Sequence, residues 1–167
     1  LSLRGLEREF YAYQSTKPIR KLETSSLKLV QDKKVINQID SSGCSNYHLM
    51  LVKGLHKIKN LDAKKRSFIE AAGIPLINPL VDLGNYVMLE IGAPTHVFDL
   101  AKLALPINVK FPKSNNTPVA VIGGDIKDVQ SSSLIIQDQS GIQGIAGIIG
   151  CEESSVSSKT NNIAGET

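Results

Sequence analysis

The chain has 167 residues, 41% of them apolar and 21% charged, with no Trp and a formal net charge of +3. That length fits one domain with a substantial core, or one domain with an appended element, and no apolar run is long enough to span a bilayer. The small net charge hides an asymmetry: residues 1–66 hold 14 Lys+Arg against 6 Asp+Glu, and residues 67–167 hold 5 against 10. A basic half can be a footprint for nucleic acid, but no stacking aromatics are interleaved with these lysines, which favours a solvated face.

In chain order, Leu3, Leu6, Phe10 and Tyr13 recur at helical spacing and predict a helix over 2–13, weakened by Gly5. Residues 14–26 read as extended or looped, with Pro18 and the Thr24-Ser25-Ser26 cluster. Alternating apolar residues predict strands at 27–30 and 35–39, followed by a Ser41-Ser42-Gly43 turn and a strand over 46–54. Asn60 or Asp62 then caps a helix carrying Phe68, Ile69 and Ala72, which Gly73 closes.

Asn78 is placed as N-cap of the next helix, with Pro79 at its first position. Val81, Met88 and Leu89 supply its apolar stripe, and Gly92 ends it. An Ala93-Pro94 turn then presents His96 beside Phe98 and Asp99. Strands are predicted at 107–111 and 119–122, the second joined to 126–129 through Gly123-Gly124-Asp125 as a hairpin. Further strands are predicted at 134–137 and 142–149, around a Gln139-Ser140-Gly141 turn, and at 162–166. Helices crowd the first two thirds and strands the last third, so the expected fold class is α+β: a strand-rich domain with a few packed helices.

Motifs that stand alone are few. There is no CxxC, HExxH or phosphate-binding GxxxxGK[ST] pattern, and no metal site is expected. His48 and His56 read as surface or structural residues. Cys44 and Cys151 lie far apart and suit a reducing cytoplasm, Cys151 reading as a buried, inert thiol. Gly123-Gly124 and the Gly144, Gly147, Gly150 set are weak as nucleotide loops. The second set reads as close backbone packing, or as a floor for a flat substrate.

The stretch NPLVDLGNYVMLEIGAPTHVFDLAKL at 78–103 closely resembles a signature of the B3/B4 region of phenylalanyl-tRNA synthetase beta subunits, roughly VD-x-TNYVMLE-x-GQP-x-HAFD-x-x-KL. Cys44-Ser45-Asn46-Tyr47 is similar to the family's Cys-x-x-Tyr. Gly144–Gly150 followed by Glu153-Ser154 and Val156 resembles its LAGIMGG-x-x-S-x-V segment, and Ile163–Glu166 its I-x-LE. The likeness covers essentially the whole chain. It implies one B3/B4-type editing domain over 1–167, cut from a longer beta subunit.

The family's B3/B4 module hydrolyses tyrosine wrongly esterified to phenylalanine tRNA. An apolar pocket shaped for Phe rejects Tyr only about a hundredfold, because Tyr merely adds a hydroxyl. A second pocket that hydrogen-bonds the hydroxyl discriminates far better, since Phe leaves its polar group unpaired. By the resemblance, Glu166 reads the phenol and His96 orients the ester or a water. Gly84, Asn85, Pro94, Ala146, Gly147 and Gly150 line the substrate site. On residues alone, Glu166 would be an exposed strand carboxylate and His96 a satisfied histidine under a turn. The resemblance also implies a tRNA 3′ end and the alpha subunit of a heterotetramer as partners, a cytoplasmic location, and no membrane. This region would use no cofactor, while ATP and Mg²⁺ would serve the complete enzyme.

There are departures. Gly84 replaces a Thr, Pro75-Leu76 an Arg-Pro, Ala93 a Gln, and Cys151 the second Gly of GG. They keep open a second reading: a structural or tRNA-contacting module of the same subunit whose editing is weakened or lost. A third is an unrelated carbohydrate- or protein-binding β-rich domain.

Overall fold

The computed structural model describes residues 2–14 and 35–167. Among these, three α-helices and ten strands in mixed sheets form the expected α+β, strand-rich architecture. The predicted strand at 27–30, and the predicted extended or looped segment beyond Gln14, lie outside the described residues.

Helix α1 (Leu3–Gln14) forms close to where the spacing places it, but its apolar stripe is not buried. Leu3, Leu6, Phe10 and Tyr13 are all exposed, and the helix is held by a polar contact instead: Arg4 donates to Glu90 Oε1 at 2.9 Å. Helix α2 (Ala63–Ala71) is capped by Asp62, which accepts the Lys65 N–H at 2.9 Å. Helix α3 (Pro79–Ile91) begins where Asn78 Oδ1 accepts the N–H groups of Leu80 and Val81. It ends at Gly92, whose left-handed φ of 79° closes the last turn. Phe68 of α2 meets Tyr86 of α3 edge to face, with centroids 6.1 Å apart.

A three-stranded antiparallel sheet has β10 (Ile163–Glu166) at its centre, between β2 (Leu49–Val52) and β3 (His96–Asp99). A five-stranded sheet runs in the order β1 (Ile36–Ile39), β4 (Ile107–Lys110), β7 (Ile135–Gln137), β8 (Ile142–Ile145), β9 (Ile149–Gly150). Only its β1–β4 pair is parallel. A hairpin of β5 (Thr117–Ala120) and β6 (Ile126–Val129) completes the strands.

Side-chain alternation gives the five-stranded sheet two buried faces. Ile107, Val109 and Ile136 pack with Phe98 and Ala164 of the three-stranded sheet. Ile135 and Ile145 pack with Val129 of the hairpin and with Val121 just beyond β5. The predicted strand 142–149 is split: the chain turns at Gly147, where φ is 70°, and returns as β9 against β8.

One buried carboxylate ties the sheet to its connections. Asp138 Oδ1 accepts from Ser140 N, Ser140 Oγ, Gly141 N and Gln143 Nε2, while Oδ2 accepts from Ala104 N at 2.7 Å. Burial alone would raise its pKa. The Ser140 hydroxyl and the backbone N–H groups outweigh that and hold it below the ordinary 3.8. Asp138→Ala leaves several buried donors unpaired and should destabilise the fold by about 3 kcal/mol, lowering Tm by roughly 5–10 °C. A carboxyl with a depressed folded pKa stabilises above its unfolded pKa and loses that contribution as pH falls through the folded value. The gap between wild type and variant in thermal melts should therefore hold down to pH 3.8 and narrow only below it.

Candidate functional site

A cavity of ≈ 650 Å³ opens between α3 and the sheets. The α3 side contributes Asn78, Val81, Gly84 and Asn85, and β3 with its preceding residue contributes Thr95, His96 and Val97. The Ile122–Gly124 turn and the segment from Glu152 to Val156 close the other side. The volume is that of a small-molecule site. Among the described residues that line it, Glu152 is the sole carboxylate and there is no Lys or Arg. Glu152 is anchored at the rim by the Gly123 N–H, 3.2 Å from Oε2.

His96 lies at the inner wall. Its ring stacks edge-on against the fully buried Phe98, with centroids 4.6 Å apart, and its other side presses on Gly150. A Cβ on Gly150 would overlap the imidazole, so glycine is required there by close approach. His96 Nε2 is buried without a hydrogen-bond partner. Burial lowers the ring's pKa below the ordinary 6.5, which keeps the imidazole neutral near pH 7.

Register places Glu166 directly across from His96. Directly paired residues share a face, so His96, Glu166 and Leu49 form one row and Phe98, Ala164 and Leu51 the next. Burial raises the Glu166 carboxyl above its ordinary 4.5, against the opposing pull of a hydrogen bond from Tyr47. Tyr47 Oη donates to Glu166 Oε2 at 2.6 Å.

Of the residues expected at the site, Gly84, Asn85 and His96 line one cavity, Gly150 buttresses His96, and Glu166 stands one strand away. Pro94, Ala146, Gly147, Gly150 and Glu166 are not among the residues that line it. Pro94 is exposed in the link from α3 to β3, Ala146 is turned into the core between the sheets, and Gly147 sits at the exposed tip of the β8–β9 turn. Thr95, Ile122 and Glu152 line the cavity with no motif to signal them. Thr95 Oγ1 lies 3.5 Å from Gly84 O and 3.3 Å from where a Gly84 Cβ would stand, so a hydroxyl from the residue before β3 fills the space left on the helix.

Cys44 and Cys151 are both free, and burial pushes the Cys151 thiol up to about 11. No helix among the described residues is long and apolar enough to cross a membrane.

The family model of the B3/4 domain matches residues 43–167. The chain belongs to the B3/4 domain family. It is 32% identical over 164 residues to the phenylalanine–tRNA ligase beta subunit of Mannheimia succiniciproducens, covering 98% of this chain and 20% of that one. It is 34% identical over 134 residues to the beta subunit of Haemophilus influenzae, covering 80% and 17%. The chain thus spans about a fifth of the length of the curated relatives it matches. The crystal structure of an N-terminal fragment of the phenylalanyl-tRNA synthetase beta subunit from Pyrococcus horikoshii shares the fold. Its TM-score is 0.58 at 18% identity, over 99% of this chain and 50% of that one.

The contact between Gly150 and His96 generates a test for this B3/4 domain. Gly150→Ala should destabilise by about 1–3 kcal/mol, because the ring must leave its place beside Phe98. His96→Ala removes the clash. The double variant should therefore be more stable than the sum of the two single changes, by about 1 kcal/mol. Denaturant melts of the four proteins measure this coupling.

Proposed function

We propose that this domain is the editing part of a phenylalanine–tRNA ligase beta subunit, hydrolysing tyrosine esterified to phenylalanine tRNA. The observation that carries the reading is the pairing of a neutral His96, with an unpartnered Nε2, at the wall of a largely apolar cavity with a half-buried carboxylate directly opposite on the neighbouring strand. The two sequence relatives named above, both beta subunits of that ligase, supply the substrate class.

An aminoacyl ester is already activated, so no enzyme nucleophile is needed. Water adds to the ester carbonyl, the bond to the terminal ribose oxygen breaks, and that oxygen takes a proton as the alcohol leaves. A neutral imidazole has a lone pair on one ring nitrogen and an N–H on the other, so His96 can hold the water or donate to the ester. Asn85 and the Thr95 hydroxyl offer further polar contacts from the walls. Glu166 is the acceptor for the phenol through a charge-assisted bond. The tRNA 3′ end would enter the cavity. The alpha subunit of a heterotetramer would complete the enzyme, whose charging reaction would use ATP and Mg²⁺ elsewhere.

The second reading, a module with weakened hydrolysis, draws on Gly84 and on Cys151 next to Gly150. The Thr95 hydroxyl beside Gly84 counts against it.

The reading is tested at Glu166. In the complete synthetase, Glu166→Ala should raise Phe-tRNA hydrolysis relative to Tyr-tRNA hydrolysis by about 10–100-fold, the worth of one hydrogen bond to a buried charge. Comparing the two deacylation rates for wild type and variant measures it, and an unchanged ratio refutes the assignment.

A further inference from the structure

We propose that Tyr47 is a positioning residue of this site: its phenol ties down one oxygen of the Glu166 carboxylate and leaves the other as the acceptor for a substrate hydroxyl. The inference rests on the reading of Glu166 given above and adds a specificity-determining partner to it.

The geometry is closely constrained. The Tyr47–Glu166 distance of 2.6 Å lies in the range of a charge-assisted O–H···O⁻ bond. Beyond β2, the backbone ladder continues as His48 and Thr167 exchange both bonds, at 3.0 and 3.1 Å. That pair fixes residue 47 two register positions beyond Glu166, the end of β10. Cys44 Sγ, 3.1 Å from Asn46 O, holds the turn ahead of it. The Tyr47 ring packs against the core that contains Phe98 and Ala164, so the hydroxyl has little freedom to leave.

The chemistry follows from the count of acceptor sites. A carboxylate offers about four lone-pair positions on two oxygens, so it can serve two phenols side by side. Tyr47 is a permanent first phenol on Oε2. A tyrosyl substrate is the second, on Oε1, and a phenylalanyl substrate leaves that oxygen unpaired. Burial and the Glu166 charge raise the Tyr47 pKa, so it remains a donor. Its donation favours the ionised form of Glu166, against the burial that disfavours it.

Of the titratable groups around Glu166, the Tyr47 hydrogen bond acts on its carboxyl directly. Tyr47 and, behind it, Cys44 stand on the segment before β2, and His96 stands opposite on β3. On the β2 side the paired residue is Leu49. Among the described residues, no Lys or Arg forms an ion pair with Glu166.

The experiment measures Tyr-tRNA and Phe-tRNA deacylation by the complete synthetase across about pH 4–8, from the ordinary carboxyl range upward. Taking the Tyr/Phe ratio cancels the intrinsic pH dependence of the ester. The wild-type ratio should be high above the Glu166 pKa and fall on acidification. Tyr47→Phe should raise the midpoint of that fall by about one pH unit and lower the ratio near neutrality by about tenfold. A 3-fluorotyrosine at position 47, a stronger donor of nearly the same shape, should move the midpoint the other way and guards against misfolding of the Phe variant. Glu166→Gln should abolish the step; any step that survives belongs to His96.

Tyr47→Phe or 3-fluorotyrosine enzymes that leave both ratio and midpoint unmoved, even with both rates reduced together, overturn the proposal while the editing reading stands. A Glu166→Gln enzyme with the wild-type ratio overturns the editing reading, and the role of Tyr47 with it.

Discussion

The register of β10 between β3 and β2 is the constraint on which the site depends. Ala164 sits opposite Phe98 and Leu51, and Glu166 opposite His96 and Leu49. Because side chains alternate along a strand, a slip of one residue would turn Glu166 to the other face and put Gly165 across from His96. The register is held from inside by the fully buried Phe98–Ala164 pair, a large ring over a small methyl. It is held at the edge by Asp99, whose N–H reaches Ser154 O and whose Oδ2 accepts the Thr160 hydroxyl at 2.6 Å. Structural polar groups at one end of β3 thus fix the position of His96 at the other.

Two kinds of buried or half-buried polar group coexist in this B3/4 domain. Asp138 and Asp99 are met by donors on both oxygens and serve the fold. At the site, satisfaction is partial. His96 Nε2 has no partner, and Glu166 has one hydrogen bond, from Tyr47. An unpaired buried atom costs about 1–3 kcal/mol. Gln143 Oε1 is a second such atom, and nothing in the structure explains it.

Legibility in the sequence followed the length and chemistry of each signal. Helix α3 was legible at both ends because Asn78, Pro79 and Gly92 each do one job that few residues do. β3 was not: four residues are too few to show alternation, so the chain past Pro94 reads as a turn carrying His96, although it is a strand. The run 142–149 reads as one strand because apolar residues continue through it, while Gly147 reverses the chain midway. The exposed stripe of α1 shows that spacing reports a helix without reporting what covers its face. Gly84, Asn85 and His96 come from the one signature, and their shared cavity follows from α3 lying against β3. Glu166 lies 70 positions from His96 in sequence, and only the sheet register joins them. Thr95 and Glu152 left no trace because a lone Thr or Glu carries no pattern.

Gly84 illustrates why a departure read from sequence is not yet a loss. A Thr on the helix would hang its hydroxyl into the cavity from α3. In this chain the hydroxyl comes from Thr95 at the approach to β3 and reaches back to Gly84 O. A side chain at 84 would meet that hydroxyl at 3.3 Å, so the two positions compete for the same volume. With glycine in mid-helix costing about 1 kcal/mol relative to alanine, the helix accepts a penalty while the polar contact is kept from the facing segment. The hydroxyl beside Gly84 thus comes from the residue just before the strand that carries His96.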